Sequence, residues 1–477
     1  MSNTKAILNK LIYYYKGLAV FLCLAILATP QYTVFGKINF LLVGLGLFLC
    51  AADIFVNRTF LIGKRMILLL LFLLSFAVTI FINRNHDFSV NVMALGYSII
   101  AMILFYPNNH KSKQEVIGEM YMVNNVFLTF TAILSTIGFI MYIILFRFET
   151  KVNGTTYIVG LPVESGSNRL FGLYSNQCFI ITAIAMVFAV LQFEILKHKK
   201  EKAKKLYKSF LIYCIVINYI CMLLENSKGA YYSVAMFIAC YVFIKARSKY
   251  IAKYGGGAKT YLISIGYAVG CVVIFFVSIA AVRFLLAYLP RIYYGFIGLF
   301  SGSTDISIDE VNLERDIPES YGALTGRPLI WAFGIKRFLQ KPLFGWGPIF
   351  NDIILDTPIR HLHNLVIESL AGVGIVGSVF IFVFLSATAI KLLIRVFSHK
   401  LLDDTYYNIT YTAFSILAML ALNSMSEVTI LFMTRLTVLL FWMLLGQTIC
   451  LAQLPNDKIS VFDKPMTALY DRVKPKA

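Results

Sequence analysis

Arg360-His361-Leu362-His363-Asn364-Leu365-Val366-Ile367-Glu368, running on to Gly372-Val373-Gly374-Ile375-Val376-Gly377, is the stretch in which this chain turns from polar and basic to apolar. It is preceded by Thr325-Gly326-Arg327-Pro328-Leu329-Ile330-Trp331 and by Lys341-Pro342-Leu343-Phe344-Gly345-Trp346-Gly347-Pro348. Arginine, histidine and glycine are concentrated there beyond what crossing a bilayer requires. The segment from Thr325 to Gly377 is therefore the candidate active site.

The rest of the chain explains why such a segment stands out. Of its 477 residues, 59% are hydrophobic and 14% charged, too apolar for one or two water-soluble domains of that length. A helix needs about 20 apolar residues to span a bilayer. About twelve runs meet that criterion, with cores near 12–29, 38–56, 66–82, 89–106, 121–147, 173–196, 207–224, 229–245, 260–289, 361–390, 406–423 and 428–452. The expected fold is an all-α polytopic membrane protein. Transmembrane helices 1 to 9 occupy 1–289, and an external loop over 290–360 carries an amphipathic helix near 327–341. Helices 10 to 12 occupy 361–452, and 453–477 form a cytoplasmic tail. The first run, from Gly17 to Thr29, resembles a signal peptide but lacks an A-x-A cleavage site and reads as an uncleaved span.

The 43 Lys and Arg against 24 Asp and Glu give a net charge of +19. Most of the cations fall in segments that share one side, including Lys64 and Arg65, the run Lys197 to Lys208, Lys245 to Lys259, and the tail. Positive short loops stay cytoplasmic, so both termini are expected inside. The same distribution accounts for the charge without nucleic acid, because no aromatic interleaving or binding module accompanies the basic runs. The eight cysteines lie almost wholly in apolar runs without CxxC spacing and read as packing residues.

On the external side this topology leaves a loop near 148–172 and the long loop 290–360. The long loop begins with an acidic part (Asp305, Asp309, Glu310, Glu314, Asp316, Glu319) and ends in a helix that Thr325 can cap and Pro328 can start. Trp331, Ile335, Phe338 and Leu339 share one face of that helix, opposite Lys336, Gln340 and Lys341, as expected of a helix lying in the membrane interface. Three polar motifs precede or open spans that enter from outside: Asn168-Arg169-Leu170-Phe171-Gly172, Asn226-Ser227-Lys228-Gly229 and His361-Leu362-His363-Asn364. Helix N-termini beside basic residues make a credible diphosphate site.

Each residue also has a plainer reading. Arg169 and Lys228 can be helix-end charges reaching the interface, and Arg327 an interfacial helix charge. Arg283 and Arg435 lie inside apolar runs, where an ionisable group is usually paired, Arg435 with Glu427 or another carboxylate. His363 is either a structural histidine or a base. A place in the first turn of a helix near cations favours neutral imidazole, the form able to accept a proton. His361 and His363 lack the HExxH or carboxylate-rich setting of a metal site, so no metal is expected.

Arg327-x-x-x-Trp331, Pro342-Leu343-Phe344-Gly345-Trp346-Gly347, His363-Asn364-Leu365 with Glu368, and Gly374-x-x-Gly377 together closely resemble the signature of the O-antigen ligase and Wzy-type polysaccharide polymerase superfamily. Arg169 to Asn176 resembles its upstream Arg…Gly…Asn segment, and Ser227-Lys228-Gly229-Ala230 its Ser-Arg-Gly segment. The resemblance implies a GT-C-like membrane glycosyltransferase without cofactor or metal. Its donor would be an undecaprenyl-diphosphate-linked glycan on the external leaflet of the bacterial inner membrane, its partners membrane lipids, a flippase and a chain-length regulator. It gives His363 the role of base, and Arg327, Arg169 and Lys228 the donor's diphosphate, with Asn364, Glu368, Trp331, His361 and Arg435 in support. Two departures stand out: Lys228 where the family often has Arg, and Gly372 where an acidic residue is frequent. A polymerase is the favoured reading and an O-antigen ligase its alternative. A polysaccharide transporter or flippase is a third reading, against which stands the lack of similarity between the two halves.

Overall fold

The computed structural model describes residues 2–473 except 29–32, 153–154, 163–168, 174–179, 199–203, 302–312, 314–326, 350–351, 355–356, 360, 399–401, 403, 428, 433–435 and 455–458. The acidic part of the long loop, Thr325, Cys178 and Arg435 lie outside the described residues. The helices, in chain order, are α1 (Ser2–Ala28), α2 (Thr33–Val56), α3 (Met66–Ile82), α4 (Phe88–Ile99, continued by a π-turn Ile100–Phe105), α5 (Lys113–Ile143), α6 (Ile181–His198) and α7 (Lys204–Glu225). They continue as α8 (Lys228–Tyr254), α9 (Ala258–Ser301), α10 (Arg327–Gln340), α11 (Leu365–Val396), α12 (Tyr407–Asn423), α13 (Leu436–Leu451) and α14 (Lys464–Val473).

Each apolar run overlaps a helix, and among the described residues nine helices are long and apolar enough to cross a membrane. The chain is a multi-pass, helical membrane protein. Helices α3 and α13 are apolar but shorter. Two antiparallel hairpins, β1 (Arg147–Val152) with β2 (Thr155–Gly160) and β3 (Asp352–Ile354) with β4 (Thr357–Ile359), depart from the all-α expectation. A second difference is that α9 does not stop at the expected loop boundary but passes through Pro290 to Ser301. An interior proline removes one helical N–H bond and crowds the carbonyl four residues back; beyond it the helix is tied to the end of α5, where Tyr294 donates to Ile144 O at 2.8 Å.

The chain divides into two compact units. The first comprises Met1–Val20, Asn39–Val123 and Ser320–Ala477; the second comprises Phe21–Ile38 and Asn124–Glu319. In the second, α6 to α9 pack on one another and Tyr142 donates to Leu286 O at 2.9 Å. In the first, α3 and α10 both pack on α11, and α12 on α13. A buried network ties α1, α5 and α13 together there: Glu119 Oε1 accepts from Lys16 at 2.7 Å and from Gln447 at 3.0 Å, while Lys111 pairs with Oε2. Ionisable groups at such depth persist only when paired in this way. The described cysteines are all free, as their scattered positions suggested.

The feature that organises the first unit is a break in α11. Gly374 has φ 64° and ψ −170°, a conformation essentially confined to glycine, and it splits the helix after its first turns. The backbone groups that the break would orphan are taken up by the Pro342–Gly347 segment. Ile375 N donates to Pro342 O at 2.8 Å and Val376 N to Leu343 O at 3.2 Å, while Trp346 N and Gly347 N donate to Ala371 O at 2.9 Å and Gly372 O at 2.8 Å. Non-helical backbone in a membrane protein is tolerated only when satisfied in this manner. Close approach also fixes the glycines: a Cβ on Gly372 would lie 2.8 Å from Pro348 Cα, and one on Gly374 2.2 Å from Leu343 O. No acidic side chain fits at 372, which accounts for that departure from the family pattern.

Side chains of α3 and α4 hold the same segment from behind. Thr79 Oγ1 donates to Phe344 O at 2.6 Å, Asn83 Nδ2 to Gly345 O at 3.0 Å, and Asn91 bonds both backbone groups of Ile349 at 2.9 and 3.1 Å. Gly374→Ala is accordingly expected to cost at least about 1–3 kcal/mol from backbone strain alone. The check is a lowered thermal unfolding midpoint of the purified protein.

Candidate active site

The break in α11 leaves a short first segment whose N-terminus is fastened at several points. Asn364 is its N-cap, accepting from Val366 N at 3.0 Å and Ile367 N at 3.1 Å. Its amide donates to Met425 O at 3.1 Å, and Leu365 N donates to Ser424 O at 2.9 Å. Glu368, fully buried one turn later, reaches back to accept Leu362 N–H at 2.7 Å. Asn364 and Glu368 thus hold the backbone on both sides of His363. That residue does not lie in the helix's first turn, as the sequence suggested, but one position before the cap, with φ 52°. Asn364 takes the cap because its side-chain oxygen can accept two amide N–H groups. Histidine is among the residues that tolerate a left-handed backbone.

The same loop that receives α11's N-terminus presents Glu427. One oxygen of Glu427 lies 2.7 Å from His363 Nδ1, and the other accepts from Arg327 at 2.9 Å. His361 stacks edge-on against His363, ring centroids 4.0 Å apart. Burial opposes the charged form of Glu427. The hydrogen bond from His363 and the charges of His363, His361 and Arg327 outweigh it and hold the carboxyl down at about 2. With Arg327 28% exposed, His363 27% and Glu427 34%, the constellation is half-open and reachable from outside.

Arg327 is the first residue of α10, and Pro328 follows it in the first turn as expected. Trp331 sits one turn on, on the same face, and its buried indole N–H finds no partner among the described residues. Ile330, Phe333 and Phe338 pack against Leu362, Ile367 and Ala371, and Gly334 lets the helix approach, since a Cβ there would lie 2.6 Å from Leu362. The apolar face expected from the sequence is therefore divided: Phe338 points inward, whereas Ile335 and Leu339 are 50% and 69% exposed. Further along α10 an open cleft of about 270 Å³ is lined by Phe333, Lys336, Arg337, Gln340 and Trp346. Lys341 and Arg337 lie 3.6 and 5.1 Å from the Trp346 ring centre.

Arg169 and Lys228 belong to the second unit. There the first two polar motifs meet at the junction between α7 and α8. Arg169 is buried, donates through Nε to Glu225 O, and lies 5.6 Å from the Phe171 ring, while Leu170 N donates to Leu224 O at 3.0 Å. Arg169 thus neutralises the C-terminal end of α7 instead of flanking the start of α6, which begins only at Ile181. Thr182 donates to the Glu225 carboxylate at 2.7 Å. Asn226 and Arg283 both donate to Leu313 O, at 2.8 and 3.2 Å. Lys228 opens α8 after the Ser227 cap, and its side chain is exposed.

Glu427 is the functional candidate that the sequence reading weighed only as a partner for Arg435. Its signal was a lone carboxylate between two apolar runs, and nothing in the spacing named its real partners. His361, His363 and Glu427 offer ligand atoms that all lie within 4.8 Å of one another, a set that can accept a divalent ion. Both Glu427 oxygens are already engaged by Arg327 and His363, so a metal there and the proton-accepting arrangement compete for the same atoms.

Residues 211–382 match the protein-family model Wzy_C, described as O-antigen ligase, in agreement with the resemblance carried by the motifs. The matched interval includes Lys228, Arg327, Trp331, His361, His363, Asn364 and Glu368. No curated protein matches the chain.

The low value of Glu427 has a definite sign for stability. The unfolded carboxyl takes its proton near 4.5 and the folded one near 2, so the stabilisation is complete above about 4.5 and is lost as pH falls toward 2. Thermal midpoints measured from pH 6 down to pH 3 should fall more steeply for the native protein than for Glu427→Gln.

Proposed function

Proceeding from an O-antigen-ligase-type domain, we propose that the chain is a membrane glycosyltransferase that polymerises undecaprenyl-diphosphate-linked repeat units into surface polysaccharide. In this reading it has twelve spans of GT-C type, both termini are cytoplasmic, and the site faces outward from the bacterial inner membrane. A flippase would supply its substrate and a chain-length regulator would act on its product. The observation that carries the reading is the arrangement of His363 Nδ1 and Arg327 on the two oxygens of one carboxylate, Glu427.

A carboxylate that accepts Nδ1–H fixes the imidazole tautomer, which leaves Nε2 as the proton acceptor. The acceptor hydroxyl gives its proton to His363 Nε2 as its oxygen forms the new bond to the anomeric carbon of the donor. The bond between that carbon and the diphosphate oxygen breaks, and the diphosphate leaves with the electron pair. Arg327 spends one N–H on Glu427 and retains further donors for the departing diphosphate. The indole N–H of Trp331 lies on the same helix face and supplies another. Lys228 and Arg169 retain the diphosphate role that the resemblance assigns them, Lys228 as an exposed charge and Arg169 with a structural bond to α7.

The family's description as O-antigen ligase favours the second reading, transfer of the glycan to lipid A-core. The two differ only in the acceptor.

The test is reconstituted protein given a synthetic undecaprenyl-diphosphate repeat unit with EDTA present. A ladder of lengthened glycans is expected. Product only after lipid A-core is added would identify a ligase, and inactivity with both acceptors would refute the glycosyltransferase. His363→Ala and Glu427→Gln should each lower kcat by about 10²–10⁴-fold, the usual worth of a positioned base, with the protein still folded. Lys228→Gln is expected to impair turnover without lowering the unfolding midpoint, whereas Arg169→Gln should lower both.

A further inference from the structure

The open cleft along α10 has no part in the transfer step. Its volume of about 270 Å³ lies just below the range of about 300–1,000 Å³ typical of small-molecule sites. Among the described residues it is lined by Phe333, Lys336, Arg337 and Gln340 on α10 and by Trp346 from the segment that follows, with no carboxylate. The four α10 positions are three and four apart and share one face. Nine residues separate Arg327 from Lys336, roughly 14 Å along the helix and about two and a half turns around it, so the cleft lies on another face from the catalytic guanidinium.

The lining combines three kinds of group. Trp346 Nε1 donates to Arg337 O at 3.0 Å, which fixes the indole and leaves its ring, not its N–H, to the cleft. Arg337 feels the negative charge of Asp87, the residue before α4, so one of the cations is compensated. Lys336 and Lys341 make no ion pair with any described residue. Lys336 is exposed at the cleft, while Lys341 lies 3.6 Å from the Trp346 ring centre and spends one of its three N–H donors on Asn83 Oδ1. Burial and the neighbouring charge of Arg337 lower the Lys341 ammonium below its ordinary pKa, a cost that an anion in the cleft offsets. Gln340 adds an exposed amide, which both donates and accepts.

We propose that the cleft binds a carboxylate-bearing sugar residue of the glycan, several bonds removed from the reacting diphosphate. This rests on the glycosyltransferase reading and narrows its substrate to an acidic glycan. The sugar carboxylate meets Lys336, with Arg337 and Lys341 adding to the potential, hydroxyls exchange hydrogen bonds with Gln340, and the C–H face of the ring lies against Phe333 and Trp346. A free phosphate or a lipid headgroup would answer the cations but leave the amide and the two rings unmatched.

The first arm of the test reads binding alone, by tryptophan fluorescence of the full-length protein in detergent. A short oligogalacturonate is titrated against the neutral galacto-oligosaccharide of equal length, inorganic phosphate and phosphatidylglycerol. The acidic oligosaccharide is expected to change the emission where the neutral one does not, and the change should vanish in Trp346→Phe. Lys336→Glu should weaken the apparent affinity about tenfold, more at low salt than at high. Lys151→Glu, at an exposed lysine of β1, should leave it unchanged. No response to the acidic oligosaccharide, an equal one to the neutral sugar, phosphate or phosphatidylglycerol, or no effect of Lys336→Glu would overturn the proposal. The second arm compares polymerisation of two synthetic lipid-linked repeat units that differ only in one carboxylate. Lys336→Glu should raise KM for the acidic unit alone and spare kcat; polymerisation with an unaltered KM would overturn the acidic site while the glycosyltransferase stands. Failure of the native protein to polymerise either unit would refute the glycosyltransferase, and the binding arm then decides the cleft.

Discussion

Four backbone hydrogen bonds between the Pro342–Gly347 segment and the broken part of α11 are the constraint on which the first unit depends. A helix interrupted inside a membrane protein exposes amide and carbonyl groups that lipid cannot satisfy, so the interruption survives only with a dedicated partner. Here the partner is the segment that follows α10. The break therefore decides where α10 ends, how it packs on α11, and where Arg327 at its other end can reach. Thr79, Asn83 and Asn91 complete the arrangement by holding the far side of the segment.

From that constraint the chemistry follows in short steps. The first segment of α11, separated by the break, is capped by Asn364 and bonded to the 424–425 backbone, which delivers Glu427 to His363. Packing of α10 on Leu362 and Ile367 delivers Arg327 to the same carboxylate. One acidic side chain thereby orients the imidazole and anchors the guanidinium, leaving one ring nitrogen and several N–H groups for substrate. Clamping by Glu368, which holds Leu362 N–H, keeps the strained His363 backbone in place.

Much of this was legible in the sequence because it is written in strong local signals. Apolar runs of span length located the helices, but 361–390 read as one unbroken span, so that neither the Asn364 cap nor the interruption at Gly374 was among the expectations. Less legible was whatever depends on distant partners. Glu427 lies 64 residues from His363 and 100 from Arg327, and no periodicity links them. Arg169 looked like the companion of α6 because it precedes it in sequence, whereas the free carbonyls at the end of α7 are its electrostatic match. The β1–β2 hairpin was announced by alternating residues around Asn153-Gly154, a strong turn signal that the abundance of apolar helices masked. At α10, periodicity identified an amphipathic helix but did not say that Ile330 and Phe333 face α11 while Ile335 and Leu339 remain exposed.

The central claim is that Glu427 fixes His363 as a base through Nδ1, and nitrogen NMR of the protein labelled in histidine reads that directly. At alkaline pH the account predicts a His363 ring protonated at Nδ1 and bare at Nε2, with that preference lost in Glu427→Gln. A ring carrying its proton on Nε2, or one unchanged by the substitution, would contradict it.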